Sequence, residues 1–269
     1  MDLKLENKTA FITGSTAGIG YAIAMGLARE GVHVFLNGRT ESSVRSAVES
    51  LKKELTNAKI SGRVADFTDP EQVKRLIGKL PEIDILVNNV GIYAAKTFEE
   101  TSDADWKAML EVNLMSGVRL SRALLPEMIQ RNWGRILFIS SECASLVPED
   151  LIAYSCTKAA MLALSRGLAQ TTGGTGVTVN SLLPGSTLTE GAEKFLDDQA
   201  ASQGVSANEV SDQFFKEVRT TSILGRFLDP REVANTAVYL CSELSSGTNG
   251  AAIHIDGGSV PGSFKISDE

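Results

Sequence analysis

The chain has 269 residues, of which 43% are hydrophobic, and it carries a formal net charge of −7. This length supports one large α/β domain, with enough apolar side chains for a packed core. The negative charge argues against nucleic acid as a partner, because binding to a polyanion relies on a basic surface. The three cysteines and two histidines match no metal-ligand spacing, so we expect no metal site.

The N-terminal residues mix charged and apolar side chains and contain no apolar segment of the kind found in secretory signals. No apolar run approaches the ~20 residues that span a bilayer. The sequence therefore predicts a soluble cytoplasmic protein that does not contact membranes.

Short apolar runs alternate with amphipathic stretches along the whole chain. Seven runs predict β-strands, namely residues 9–13, 32–37, 60–65, 83–88, 135–140, 177–183 and 252–255. Most are apolar throughout, which is typical of parallel strands covered by helices on both faces. We predict an α/β fold over residues 1–269: a single doubly wound Rossmann domain whose seven-stranded parallel sheet has the order 3-2-1-4-5-6-7.

Helices are predicted between these strands. They cover residues 19–30, 41–55, 103–131 (two helices in series), 154–171 and 229 to about 244, with a further helix starting at Pro70. The alternation is interrupted after strand six, where residues 186–224 predict a helical lid over the ligand side of the sheet. Ser206 and Glu209 have the spacing of a capping box there. One apolar stripe follows at helical spacing: Val210, Phe214 and Val218. The alternative is that this segment is a structural flap or a subunit contact.

A glycine-rich segment, TGSTAGIG at residues 13–20, joins the first strand to the first helix. Gly14 allows a tight turn, Gly18 lets the backbone approach a pyrophosphate, and Gly20 permits close packing of helix on sheet. The helix N-terminus would offer free N–H groups to the phosphates. The predicted cofactor contacts in this segment are Gly14, Ser15, Thr16, Gly18, Ile19 and Gly20.

The end of the second strand indicates which dinucleotide binds. NAD enzymes usually place a carboxylate there for the ribose 2′-hydroxyl, whereas this strand ends in Asn37 and is followed by Arg39. A guanidinium binds a 2′-phosphate well, and Asn37 and Thr40 could add donors. The sequence favours NADP(H) over NAD(H) as cofactor. The alternative is that Arg39 is an ordinary exposed cation.

With these residues the chain resembles the short-chain dehydrogenase/reductase family over about residues 4–258, and it is closest in pattern to the 3-oxoacyl-acyl-carrier-protein reductases. The motifs that carry the resemblance are residues 13–20, Asp66, Asn88-Asn89-Val90-Gly91, Asn113, Ser141, Tyr154-Ser155-Cys156-Thr157-Lys158, Pro184-Gly185 and Asp256-Gly257-Gly258. Their joint order and spacing are specific to the family, although each motif alone is weak.

The resemblance implies a catalytic tetrad of Asn113, Ser141, Tyr154 and Lys158. Tyr154 and Lys158 lie one turn apart on a helix, so the ammonium is expected to lower the phenol pKa, and both would also contact the nicotinamide ribose. Ser141 would polarise the substrate carbonyl, and Asn113 would fix a water that links Lys158 to solvent. The same motifs imply further cofactor contacts at Asp66, Phe67, Asn88, Val90, Gly91, Pro184, Gly185, Thr187 and Thr189.

These features predict hydride transfer between NADP(H) and a carbonyl or alcohol carbon of a small substrate. One alternative is a 3-oxoacyl-acyl-carrier-protein reductase, although the places just before strands five and six, where that branch often has basic residues, hold Asn132-Trp133 and Thr175 here. The other is a non-catalytic NADP-binding regulator, against which the complete tetrad speaks. The expected substrate pocket consists of Tyr93, Glu142, Val147, Glu149, Leu151 and Leu188. The resemblance also implies a homodimer or homotetramer.

Overall fold

The computed structural model describes residues 1–262. One sheet of seven parallel strands runs in the order β3-β2-β1-β4-β5-β6-β7, as predicted. The strands are β1 (Thr9–Ile12), β2 (His33–Gly38), β3 (Ile60–Val64), β4 (Ile85–Asn88), β5 (Gly134–Ile139), β6 (Val177–Pro184) and β7 (Ala252–Ile255). The last seven residues of the predicted domain lie outside the described range.

Ten α-helices occur in the described part of the chain. They are α1 (Gly18–Arg29), α2 (Glu41–Glu54), α3 (Pro70–Ile77), α4 (Asp103–Met109), α5 (Ser116–Gln130), α6 (Cys143–Leu146), α7 (Ile152–Thr171), α8 (Glu190–Gln203), α9 (Ala207–Glu217) and α10 (Pro230–Cys241). Residues of α1, α2 and α10 share one core cluster with the sheet, and residues of α3, α5 and α7 share another. The sheet is therefore covered on both faces, which explains why its central strands are largely apolar.

Three predicted helices differ from the structure in detail. The stretch at residues 103–131 contains a π-helical segment, Leu110–Met115, between α4 and α5. Helix α7 begins at Ile152 rather than at Tyr154, so the phenol lies inside its first turn. Helix α10 ends at Cys241 because Ser242 adopts an extended backbone, and a 3₁₀ turn follows.

The segment between β6 and α10 contains α8 and α9, and we call residues 186–224 the lid segment. The predicted capping box of Ser206 and Glu209 is present, with reciprocal hydrogen bonds of 3.3 and 2.8 Å. The predicted apolar stripe is wrong at Val218, which caps α9 and is 57% exposed. Phe215 is buried instead, because it packs edge-on against Phe227. Among residues 1–262, no helix has the length and apolarity that crossing a membrane requires.

Candidate active site

The four residues of the predicted tetrad meet at the carboxyl-terminal edge of the sheet. Ser141 follows β5, whereas Tyr154 and Lys158 lie on α7, which packs beside β5 and β6. Asn113 lies in the π-helical segment before α5. Such π-helical segments occur frequently at functional sites because they re-aim side chains within a helix. Residues far apart in sequence therefore share the edge at which ligands bind in doubly wound sheets.

Tyr154 and Lys158 lie one turn apart on α7, as predicted. The Lys158 ammonium is 5.5 Å from the centre of the Tyr154 ring, and it donates a hydrogen bond of 2.8 Å to the Ile139 carbonyl. Lys158 is buried, and this burial lowers the pKa of its ammonium to about 8. Across the cleft, the mostly exposed Tyr93 ring stands edge-on to Tyr154 at 6.0 Å.

The expected lowering of the Tyr154 pKa by its lysine is wrong for the described structure. The surrounding protein desolvates the phenol and raises its pKa above the ordinary value, and the nearby Ser141 hydroxyl only partly opposes this rise. Lys158 does not counter this rise: its nitrogen lies 5.5 Å from the centre of the Tyr154 ring and donates instead to the Ile139 carbonyl. Tyr154 therefore stays protonated near neutral pH, as a proton donor must be.

The hydroxyl groups after β5 distinguish two neighbouring serines. The Ser141 oxygen accepts a hydrogen bond of 3.1 Å from the Cys143 N–H, which leaves the hydroxyl hydrogen available. Ser140 instead donates its hydrogen to the Lys158 carbonyl at 2.9 Å and is buried. Ser141, rather than Ser140, is thus the residue able to donate to a substrate oxygen.

Asn113 is almost entirely committed to the protein. Its amide donates to the Ile92 carbonyl at 2.9 Å and to the Thr157 hydroxyl at 3.0 Å, and its oxygen accepts from the Ile92 N–H at 2.7 Å. One lone pair of that oxygen is left for a further partner. A side-chain carbon at Gly91 would lie 3.5 Å from both the Asn113 oxygen and the Lys158 nitrogen, so all three groups border the same space.

The glycine-rich segment adopts the tight conformation that its sequence predicts. Gly14 and Gly18 both have a φ of +58°, in the region that favours glycine. A side-chain carbon at Gly20 would come within 2.7 Å of the Gly14 carbonyl oxygen, so helix and loop can approach only because this residue is glycine. Thr16 and Ile19 are half-buried beside them.

Ser15 and Asn37 connect the glycine-rich segment to the end of β2 by hydrogen bonds. The Asn37 oxygen accepts from the Gly14 N–H at 3.0 Å, and its amide donates to the carbonyls of Arg63 and Ala65 at 3.2 and 3.4 Å. The Ser15 oxygen accepts from the Asn37 N–H at 2.9 Å. The side chain of Asn37 therefore has no donor left for a nucleotide, and it acts by holding the loop.

The residues after β2 leave one cation exposed. Arg39 forms none of the ion pairs between residues 1 and 262, and its side chain is exposed. Thr40 caps α2 by accepting from the Ser43 N–H at 3.2 Å. Arg39 therefore stands two residues before the N-terminus of α2, and both features suit a phosphate group.

The residues predicted to contact the adenosine have different surroundings in the structure. The Asp66 carboxylate accepts from the backbone and hydroxyl of Thr68 at 2.9 and 2.8 Å, and Phe67 is buried in the core. The Asn88 side chain points toward Gly117, and neither of its amide atoms has a partner in the described structure. Val90 packs directly against Gly14, since a side-chain carbon there would lie 3.0 Å from the Val90 α-carbon.

The residues after β6 connect the lid segment to the rest of the site. Pro184 ends β6, the Gly185 N–H donates to the Ile255 carbonyl at 2.8 Å, and the Thr187 hydroxyl donates to the Gly185 carbonyl at 2.8 Å. Thr189 caps α8 and lies against the glycine-rich segment.

A lid carboxylate occupies the N-terminus of α1. The Glu190 side chain accepts a hydrogen bond of 2.9 Å from the Gly18 N–H. A side-chain carboxylate therefore lies where the cofactor phosphates are expected, and the Gly18 N–H donates to it, as helix N-termini do to negative charge. The site thus fits a dinucleotide, both in its glycine conformations and in its electrostatics.

The residues of the expected substrate pocket lie in different surroundings in the structure. Tyr93 borders Tyr154, and Val147, which has a φ of +46° and is 48% exposed, lies after α6 in the same loop as the exposed Glu149 and half-buried Leu151. Two residues differ from expectation, since Leu188 packs into the small core of the lid segment and Glu142 is buried in an ion pair. Leu188 is only half-buried and still borders a surface cavity beside Gly18 and Glu190, whereas Glu142 is buried.

Several site residues were not predicted. Asn89 donates to the carbonyls of Thr13 and Gly14 at 2.9 and 2.8 Å, and the Thr13 hydroxyl accepts from the Asn89 N–H. Asn89 and Thr13 both lie inside motifs that carry the family resemblance, so their position in those motifs could have identified them. Arg219 and Glu190 had no such signal, because their partners are 77 and 172 residues away.

The comparisons with known proteins agree with this site. The family described as short chain dehydrogenase matches residues 8–200. YvaG of Bacillus subtilis (strain 168), an oxidoreductase of uncharacterised activity, is 44% identical over 98% of this chain and 100% of its own length. This chain belongs to the short-chain dehydrogenase family of oxidoreductases.

Two solved structures are similar over nearly the whole chain. L-sorbose reductase from Gluconobacter frateurii, complexed with NADPH and L-sorbose, superposes with a TM-score of 0.91 at 33% identity, covering 97% of this chain and 100% of that chain. A 3-oxoacyl (acyl-carrier-protein) reductase from Agrobacterium tumefaciens C58 with NADP bound gives a TM-score of 0.85 at 31% identity, covering 96% of each chain.

Proposed function

We propose that this protein is an NADP(H)-dependent reductase that interconverts a carbonyl and an alcohol on a small substrate. The observation that carries the proposal is the convergence of Ser141, Tyr154 and Lys158 with Gly91 at the sheet edge, beside a glycine-rich loop whose Gly18 N–H donates to a carboxylate. The similarity to reductases solved with NADPH and NADP supports the choice of cofactor.

In this proposal the bound NADPH supplies the hydride. The glycine-rich segment and the N-terminus of α1 bind its pyrophosphate, and Arg39 with Thr40 binds the 2′-phosphate. Ser141 donates a hydrogen bond to the carbonyl oxygen as negative charge develops, and Tyr154 delivers the proton to that oxygen. Lys158 orients the nicotinamide ribose from the same helix face. Asn113 holds the Ile92 loop against α7 and has one lone pair left for a water that relays protons to Lys158.

The test is steady-state reduction of ketoses, keto acids, simple ketones and 3-oxoacyl thioesters, followed by NADPH absorbance. We expect Tyr154→Phe to lose turnover while its NADPH dissociation constant stays within about twofold, because only the proton donor is removed. An active Tyr154→Phe enzyme would contradict the proposed role. Arg39→Ala should weaken the binding of NADPH and leave the binding of NADH unchanged. Equal dissociation constants for NADPH and NADH in the wild type would contradict the role of Arg39.

The carrier-linked 3-oxoacyl reductase stays as a second candidate, supported by the similarity to the Agrobacterium enzyme. Asn132, Trp133 and Thr175 precede β5 and β6, so they lie at the sheet edge opposite Tyr154. Their lack of basic charge therefore does not decide what reaches the cleft of this chain. A 3-oxoacyl thioester reduced faster than every free ketone would favour this candidate. The homodimer or homotetramer also stays a proposal, tested by the mass in solution from light scattering.

A further inference from the structure

A buried ion pair joins the lid segment to the residue that follows Ser141. The Arg219 Nε donates to the Glu142 carboxylate at 2.9 Å, and the two side chains are only 12% and 3% exposed. Every other ion pair between residues 1 and 262 has at least one partner more than one-fifth exposed. This pair is therefore unlike the rest of the charged network.

Glu142 occupies the centre of the turn that presents Ser141. Its N–H donates to the Pro184 carbonyl at 2.9 Å, and its own carbonyl accepts from the N–H groups of Ser145 and Leu146 at 2.9 and 3.0 Å. Any shift of Glu142 therefore moves the adjacent Ser141 and loosens the start of α6. Hydrogen bonds thus join the turn both to the end of β6 and to the short helix α6.

Arg219 supplies the cation beside the buried Glu142 carboxylate. One oxygen accepts from Arg219 and, at 3.4 Å, from Ser186, whereas the other is buried without a partner near Gly185. Burial and the neighbouring Asp256 raise the pKa of Glu142, and the Arg219 guanidinium opposes that rise. Removing the guanidinium would leave a buried carboxylate without its cation, which is costly, so we expect the turn to loosen once the pair is broken.

Arg219 is placed by the lid segment itself. It follows α9, its N–H donates to the Phe214 carbonyl at 2.9 Å, and its guanidinium also approaches the Cys143 sulfur at 3.7 Å. The guanidinium therefore spans the gap between the lid segment and the Ser141 turn, and it holds two consecutive residues of that turn.

We infer that the Arg219–Glu142 pair is a positioning device that fixes the Ser141 turn against the lid segment, so that the hydroxyl points at the substrate carbonyl. Neither residue contacts the reacting atoms in this role. The inference rests on the proposed reductase function, in which Ser141 binds the carbonyl oxygen. The alternative is an ion pair that only stabilises the lid segment, and its loss would leave the rate of the chemical step unchanged.

The experiment compares Arg219→Gln, Glu142→Gln and the double variant with Arg226→Gln. Arg226→Gln is the control. It breaks an exposed ion pair just after the lid segment, in which the Arg226 guanidinium lies 2.8 Å from the Glu232 carboxylate. We expect each single variant to lower kcat by at least about tenfold, since small misplacements of a catalytic group have large effects, with NADPH affinity within about twofold. The double variant should lose no more than the worse single, because the pair acts as a unit.

Hydrogen–deuterium exchange of the peptide covering residues 141–147 gives a readout that needs no substrate. We expect its amides to exchange at least about tenfold faster in Arg219→Gln and unchanged in Arg226→Gln. An unchanged kcat with only a lower Tm would overturn the inference, and so would unchanged exchange or additive losses in the double variant. If the wild type reduces no carbonyl compound, the proposed function fails, while the exchange result still decides whether the pair holds the Ser141 turn.

Discussion

Burial of the Lys158 ammonium destabilises the folded protein, and this cost can be measured. The protein lowers the pKa of this ammonium from 10.5 to about 8, because the charge is held away from water. One pKa unit corresponds to about 1.4 kcal/mol, so the buried ammonium costs about 3 kcal/mol of folding free energy at pH 7. Replacing it by methionine removes the charge and retains an unbranched apolar side chain.

Lys158→Met should therefore increase the free energy of unfolding at pH 7. The hydrogen bond to the Ile139 carbonyl is lost, which costs about 1 kcal/mol and leaves a net gain of about 2 kcal/mol. The sign of the pH dependence follows from the two pKa values. Between pH 8 and 10.5 the folded lysine has released its proton and the unfolded one still holds it, so the wild type gains stability relative to the variant as the pH rises.

Urea denaturation without cofactor at pH 7, 8, 9 and 10 measures this difference. We expect the advantage of Lys158→Met to fall by about 2 kcal/mol between pH 7 and pH 10. Lys53→Met, on the exposed side of α2, serves as the control and should show no such trend. An advantage that stays constant with pH, or a variant less stable than the wild type at pH 7, would refute the reasoning.

Two other substitutions test the cofactor loop. Gly20→Ala should lower the free energy of unfolding by about 1–2 kcal/mol and weaken NADPH binding, because the added carbon meets a backbone oxygen at 2.7 Å. Gly167→Ala, also within a helix but with nothing within 4 Å of the added carbon, should gain up to about 1 kcal/mol in the same urea titration; equal effects at the two sites would contradict the packing argument. Glu190→Gln should tighten NADPH binding by about twofold to fivefold in a fluorescence titration, since its carboxylate competes with phosphate for the Gly18 N–H. Glu193→Gln changes a carboxylate in the same first turn of α8 and should have a smaller effect; similar effects from both would show that net charge, rather than the Gly18 contact, is responsible.

The strands, the conformation of the glycine-rich segment and the shared helix face of Tyr154 and Lys158 could all be predicted from the sequence. Buried parallel strands need continuous apolar runs, which are visible without a structure. A helix places Tyr154 and Lys158 on one face whatever packs around it. Gly14, Gly18 and Gly20 are required by backbone conformation and by close approach, which are local demands.

Tertiary structure alone decided which polar groups are free and how strongly each is desolvated. The sequence predicts Asn37 as a cofactor contact because it ends the second strand. In the structure its amide instead donates to the carbonyls of Arg63 and Ala65, beside the neighbouring strand. The Tyr154 pKa rises rather than falls because many distant segments enclose the phenol together. The partner of Glu142 is 77 residues away, and burial and charge compensation are sums over such long-range contacts, which no local pattern encodes.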